Sequence, residues 1–251
     1  MHYKWNWAVL WEMSPYGKST YLGTLWAGLY WTLATAACAM AIALILGMLA
    51  GTLRTTPNRW IVRCANGYVE LIRNVPLLVQ MFLWFFVMPE LVPEKFGLWL
   101  KALPDAAFVT AVLCLGFFHS ARVAIQISAG VNSLSTGQRM AARALGLTLP
   151  QTYRYVLLPM AFRVVLPPLT SECMNVIKNT AVALTIGLVE LTASARSMSE
   201  FTFQIFEAFA ATTLMYLLVN ALVVVVMRWV ERRVAVPGFI GSGETGSRGR
   251  R

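Results

Sequence analysis

The chain has 251 residues, of which 58% are hydrophobic and only 13% charged, well under the quarter carried by an average soluble domain. Its formal net charge is +10, which in a soluble protein would point to nucleic acid or acidic partners. Residues 19–53 and 208–227, runs of 35 and 20, contain no Asp, Glu, Lys or Arg, and a helix needs roughly 20 such residues to cross a bilayer, so a soluble fold is excluded.

The first segment, residues 1–20, places Trp5, Trp7, Trp11 and Tyr16 among Lys4, Glu12 and Lys18. Its aromatic residues suit a membrane–water interface. It lacks a short apolar stretch ending in small residues, which argues against a cleavable signal peptide. Residues 21–234 then read as an all-α membrane domain of five transmembrane helices: about Tyr21–Leu53, Trp60–Met88, Ala106–Leu134 (interrupted by Arg122), Tyr153–Leu188 and Phe206–Val230. Pro76 kinks the second helix, and Pro167-Pro168 bends or breaks the start of the fourth. The tail, 235–251, ends GSGETGSRGRR, a polar, Gly-rich composition expected to be disordered.

Basic residues orient the spans. With the N-terminus outside, segments 52–66, 130–163 and 228–251 face the cytoplasm and hold 13 Lys and Arg, against 5 in segments 1–22, 88–107 and 189–207. The expected topology is therefore N-out, C-in. It also absorbs the net charge, so membrane lipid is the partner the charge implies and nucleic acid is not required. Cys38, Cys64, Cys114 and Cys173 are scattered in apolar sequence without a CxxC pair, and His2 and His119 lie far apart. The cysteines read as packing residues rather than a disulfide frame or metal site, and the separation of the histidines argues against a zinc or haem site. No internal repeat is visible, which disfavours a transporter built from duplicated halves. Five helices are few for a complete pathway, and a dimer is the natural way to close one.

The longest cytoplasmic connection contains GQRMAARALG at 137–146, rich in helix formers. Arg139 and Arg143 share one face, and Met140, Ala144 and Leu147 another. Gly146 is placed to end the helix in a left-handed turn. An amphipathic helix here, about 137–148, suits docking onto another protein or lying on lipid headgroups, and the residues alone do not choose between these. The spacing of Met140-Ala141-Ala142, Gly146 and Val156-Leu157-Leu158-Pro159 resembles the loop of permease subunits of ATP-binding-cassette importers: Glu-Ala-Ala, three residues, Gly, nine residues, Ile-x-Leu-Pro. Met140 stands where that family has Glu, and Val156 where it has Ile. Residues 70–80, ELIRNVPLLVQ, and 166–190, LPPLTSECMNVIKNTAVALTIGLVE, resemble the polar amino-acid branch. TPNRW at 56–60 and VERRVAVPG at 230–238 are similar to its glutamate/aspartate import permeases. The likeness runs from NWAVL near the start to Gly238.

The resemblance implies a type I importer permease in the bacterial inner membrane. Residues Arg139, Met140, Ala141, Ala142, Arg143, Gly146 and Pro159 would form the coupling region that docks on an ATPase subunit. It implies an ATPase homodimer as partner, with ATP and Mg bound there and no cofactor on this chain. It also implies a second homologous permease subunit, a periplasmic amino-acid-binding protein and alternating access as the mechanism.

Polar residues inside a bilayer are costly and are functional candidates by default. In the fourth helix Glu172, Asn175 and Asn179 fall at i, i+3, i+7 and share one face, with Ser171 and Lys178 beside them. Lys178 and Arg122 are the cations deepest in the spans and are candidates for a substrate carboxylate. Gln80 is a further pathway candidate. Lys178 pairing with Glu172 of the partner subunit, or capping helix carbonyls, is an equally physical reading, as is a Glu70–Arg73 intrahelical pair. An intramembrane enzyme is disfavoured by the lack of HExxH, GxSxG or a His pair, and ATP hydrolysis by the lack of GxxxxGK[ST]. An ion-coupled secondary transporter would want buried mid-span acids, and Glu172 is the only strong one. Import of amide or basic amino acids is the nearer alternative.

Overall fold

A computed structural model describes residues 3–15, 19–134 and 136–234; the expected disordered tail, 235–251, and the interfacial Tyr16 and Lys18 lie outside the described residues. The helices are α1 (Tyr21–Leu53), α2 (Arg59–Asn74), α3 (Leu77–Leu91), α4 (Glu94–Ala102), α5 (Ala106–Ser133), α6 (Thr136–Ala144), α7 (Leu149–Ile186), α8 (Leu191–Thr202) and α9 (Ile205–Val234). Among the described residues the only β pairing is an isolated bridge between Met13 and Thr20. Helices α1, α5, α7 and α9 are each long and apolar enough to cross a membrane.

The second expected span is not one helix. α2 and α3 meet at 98°, and the sequence explains the break. Pro76 has no N–H to continue the ladder and biases Val75 toward extended backbone, where Val75 sits at φ −99°, ψ 127°. Gln80 then closes the corner: its Nε2 donates to the carbonyls of Ile72 (2.7 Å) and Val75 (2.9 Å). α2 is also amphipathic rather than apolar, burying Ala65 and Val69 while exposing Arg59, Arg63, Glu70 and Arg73.

Pro89, Pro159, Pro167 and Pro168 are absorbed without a break. Leu83–Val87 in α3 and Tyr153–Leu157 in α7 are π-helical, each ending two residues before a proline, Pro89 and Pro159. The wider turn shifts the ladder where the ring nitrogen has no hydrogen to give. Pro167 and Pro168, expected to bend or break the fourth span, sit exposed within unbroken helix.

The core is a seam between α1 and α5. α1 buries Thr32, Thr35, Ala36, Ala39, Ala43, Gly47, Ala50 and Gly51 along one side, a stripe of small residues that lets backbones approach. A Cβ at Gly47 would lie 2.5 Å from Cβ of Val123 and 2.8 Å from the Ser120 carbonyl; one at Gly51 would lie 2.7 Å from the Ala124 carbonyl. Arg54 fastens the end of the seam, donating to Asn66 Oδ1 (2.7 Å) and Ser128 Oγ (3.2 Å).

Two fully buried carboxylates tie down the opposite end. Glu190 caps α8, accepting from the backbone N–H groups of Thr192 (2.9 Å) and Ala193 (2.8 Å) and from Tyr216 Oη (3.1 Å). Glu207 accepts from the Asn6 N–H (2.6 Å) and from Tyr3 Oη, so it holds the N-terminal segment against the start of α9.

Gly47→Leu forces a side chain into the seam and is expected to destabilise the protein by about 1–3 kcal/mol. A lower melting temperature of the purified protein in detergent checks this; an unshifted transition would show that the helices do not depend on the glycine.

Candidate functional site

The mid-membrane polar residues converge where α5 faces α7. On α5, His119, Arg122 and Gln126 follow the spacing i, i+3, i+7, the same spacing that puts Glu172, Asn175 and Asn179 on one face of α7. His119 is fully buried, and its Nδ1 lies 2.5 Å from Glu172 Oε1. Asn179 Nδ2 lies 3.2 Å from His119 Nε2. An amide nitrogen only donates, so Nε2 is the acceptor, and Nδ1 carries the proton offered to the carboxylate. His119 thus bridges Glu172 and Asn179, with every buried nitrogen and the Oε1 oxygen partnered inside the bundle, as hydrocarbon surroundings require.

Beside this pair opens a recess of about 390 Å³ lined by Arg73, Phe118, Arg122, Ile125, Gln126 and Glu172. The Arg122 guanidinium sits 5.1 Å from the centroid of the Phe118 ring, a cation–π geometry. Neither Arg73 nor Arg122 has a carboxylate within ion-pair distance among the described residues, so the alternative Glu70–Arg73 pair does not form. Gln126 Oε1 is buried without a hydrogen-bond partner. A larger hollow of about 470 Å³ lies between α3, α4 and α5, but its walls are chiefly Trp84, Phe85, Phe86, Phe96 and other apolar groups.

The candidates named from sequence separate into three groups. Arg122 and Glu172 meet in the recess, and Asn179 stands behind it on His119. Asn175 is half-buried on the same stripe. Gln80 is buried and committed to the α2–α3 corner. Lys178 is exposed, one residue off the stripe, and forms no ion pair with Glu172 within the chain. His119, Arg73 and Gln126 were missed. The signal for His119 was available, because a histidine and a carboxylate alone in apolar helices need partners, and each is the obvious one for the other.

At the opposite end of α7, the connection forms a short helix as expected, although it stops at Ala144 rather than near 148. Gly146 turns it at φ 76°. Its N–H bonds the Arg143 carbonyl (2.9 Å) and the Leu147 N–H bonds that of Ala142 (3.1 Å), which satisfies the orphan carbonyls of the last turn. Thr148 and Gln151 then start α7 with a capping box. Ala142 is the residue turned inward, at 3% exposure; Met140 is 70% exposed and Leu145 80%. Arg143, Ala141 and Pro159 are exposed, and Arg139 half-exposed.

His119→Leu leaves Glu172 buried without its donor and is expected to cost about 3 kcal/mol, whereas His119→Leu combined with Glu172→Leu recovers most of it, because the apolar pair needs no partner. Thermal unfolding of the two single variants and the double variant measures the coupling.

Residues 43–236 match the family described as binding-protein-dependent transport system inner membrane component. The chain is 50% identical over 244 residues to the glutamate/aspartate import permease protein GltJ of Escherichia coli (strain K12), covering 96% of this chain and 99% of that protein. It is 30% identical over 234 residues to the glutamine transport system permease protein GlnP of the same strain, covering 93% and 99%. Among solved structures it resembles the crystal structure of an amino acid ABC transporter with histidines, with a TM-score of 0.72, 30% identity and coverage of 85% of this chain and 95% of that one. With its apolar helices, its type I importer permease fold and this match over most of its length, the chain belongs to the inner-membrane components of binding-protein-dependent transport systems, a transport subunit and not an enzyme.

Proposed function

We propose that this chain is a permease subunit importing acidic amino acids across the inner membrane. The observation that carries the reading is the near full-length similarity to a glutamate/aspartate import permease. The recess supports it, because two guanidinium groups without carboxylate partners favour an anionic cargo. Glutamine or asparagine is the second reading, resting on the more distant similarity to a glutamine permease.

The subunit crosses the membrane five times, N-out and C-in, with the bent α2–α3 pair counted as one crossing. A second homologous permease subunit covers the exposed flank of α7 that bears Lys178, and a periplasmic binding protein delivers the amino acid. ATP and Mg are bound by an ATPase homodimer on the cytoplasmic side. The short helix α6, presenting Arg139, Met140, Ala141 and Arg143 up to the turn at Gly146, docks there, with Pro159 shaping the return into the bilayer. Exposed Met140 and Leu145 offer an apolar docking contact, where the family's Glu at the position of Met140 would offer a polar one. Closure and opening of the ATPases move α6, and the pathway turns outward and inward in step.

Proteoliposomes holding the complex with its binding protein are expected to take up labelled L-glutamate only with ATP, and unlabelled L-aspartate is expected to compete better than L-glutamine. Uptake driven by an ion gradient without ATP would overturn the reading. Gly146→Val places a β-branched residue in left-handed backbone, at a cost of about 1–3 kcal/mol, and disorders the turn after α6. Uptake is expected to fall about tenfold while the complex still assembles, as read by transport assay and gel filtration on the same preparation.

A further inference from the structure

We propose that the recess between α2, α5 and α7 is the selectivity site for the substrate's charge, with Arg73 and Arg122 receiving the two carboxylates of an α-amino dicarboxylate and Gln126 with Glu172 receiving its ammonium group. This rests on the importer reading and names the residues that make it selective.

The chemistry of the recess is complementary to such a molecule group by group. Arg73 and Arg122 line it without carboxylate partners among the described residues, and each guanidinium presents a planar fork of donors matched to a carboxylate. Phe118, beneath Arg122 at 5.1 Å from ring centroid to Cζ, supports the cation from one face and leaves its N–H edges free. Gln126 carries a buried carbonyl oxygen with no hydrogen bond. Such an oxygen is costly unless something donates to it, and an ammonium group entering the recess does so. Glu172 keeps Oε1 on His119, while among the described residues Oε2 has no hydrogen-bond donor.

The charges decide the class of substrate. The recess sets two guanidinium groups against one carboxylate, an excess of one formal positive charge. An α-amino dicarboxylate carries −1 and cancels it. An amide amino acid carries no net charge and leaves one guanidinium uncompensated. A basic amino acid adds a third cation. Discrimination against both comes as much from charge left unpaired as from hydrogen bonds made to the preferred substrate. The volume of about 390 Å³ falls within the range of small-molecule clefts.

The test is equilibrium binding of L-glutamate, L-aspartate and L-glutamine to the purified complex in detergent, without the binding protein. The wild type is expected to bind both acidic amino acids at least tenfold more tightly than L-glutamine. Arg122→Gln is expected to weaken L-glutamate at least tenfold while changing L-glutamine less than twofold. Arg122→Lys, which keeps the charge but not the fork, is expected to fall between. Gln126→Leu is expected to weaken all three alike, because all carry the ammonium group. Lys101→Met, at the surface, serves as the control and is expected to bind like the wild type. Unchanged L-glutamate affinity in Arg122→Gln overturns the site; so does an equal loss for L-glutamate and L-glutamine, or a wild type that binds no L-glutamate at millimolar concentration. ATP-driven L-glutamate uptake by wild-type proteoliposomes is scored separately. If uptake fails, the importer reading fails with the site; if uptake is normal and Arg122→Gln binds normally, the site alone fails.

Discussion

The close approach of α1 and α5 is the constraint on which the rest depends. In a bilayer, apolar side chains gain little by leaving lipid for protein, so helices associate through packing and hydrogen bonds. Gly47 and Gly51 let the backbone of α1 meet Val123, Ala124 and Ile127 of α5 at distances that no side chain would permit. That contact fixes the rotation of α5. With Val123 and Ile127 turned to α1, the neighbouring face, carrying His119, Arg122 and Gln126, is turned to α7. The recess exists because close contact with Gly47 and Gly51 of α1, on the adjoining face of α5, leaves α5 only one way to point.

Given that rotation, the ionisable groups follow one rule: each buried carboxylate is met by donors from another segment. Glu172 is met by His119 of α5, Glu190 by the first turn of α8 and by Tyr216 of α9, and Glu207 by Asn6 and Tyr3 of the N-terminal segment. These contacts join elements far apart in sequence, where apolar packing alone would fix orientation poorly. Arg73 and Arg122 line the recess exposed and without carboxylate partners among the described residues, which leaves their donors open to a ligand.

The long spans were legible because length and the absence of charge are enough to mark them, and α1 begins and ends where the sequence places it. The turn at Gly146 was legible because only a residue tolerant of positive φ ends a helix that way. The α7 stripe was legible from spacing. The matching stripe on α5 was not, since Arg122 reads as an interruption and His119 as a histidine without a neighbour in sequence until α7 is set beside them. Pro76 marks a kink, but a turn of 98° depends on Gln80 capturing two carbonyls, which no propensity encodes. Two acids of the outer connections, Glu190 and Glu207, are fully buried. Orientation by Lys and Arg is unaffected, because acidic residues contribute little to that rule.

One helix carries both ends of the proposed mechanism. α7 begins at the capping box of Thr148 and Gln151, directly after the turn that closes α6, and runs unbroken to the residues bordering the recess. Near its start Tyr153 Oη donates to the Thr55 carbonyl (2.6 Å), which ties α7 to the connection between α1 and α2. A rigid helix passes displacement along its axis without loss, so movement of α6 reaches Glu172 unless something absorbs it on the way. The π-helical turn at Tyr153–Leu157, ahead of Pro159, is the place where the hydrogen-bond ladder already departs from α geometry and has slack to change. Its position, between α6 and the recess and beside the Tyr153 tie, puts it on the route that the proposed mechanism assigns to a push from α6.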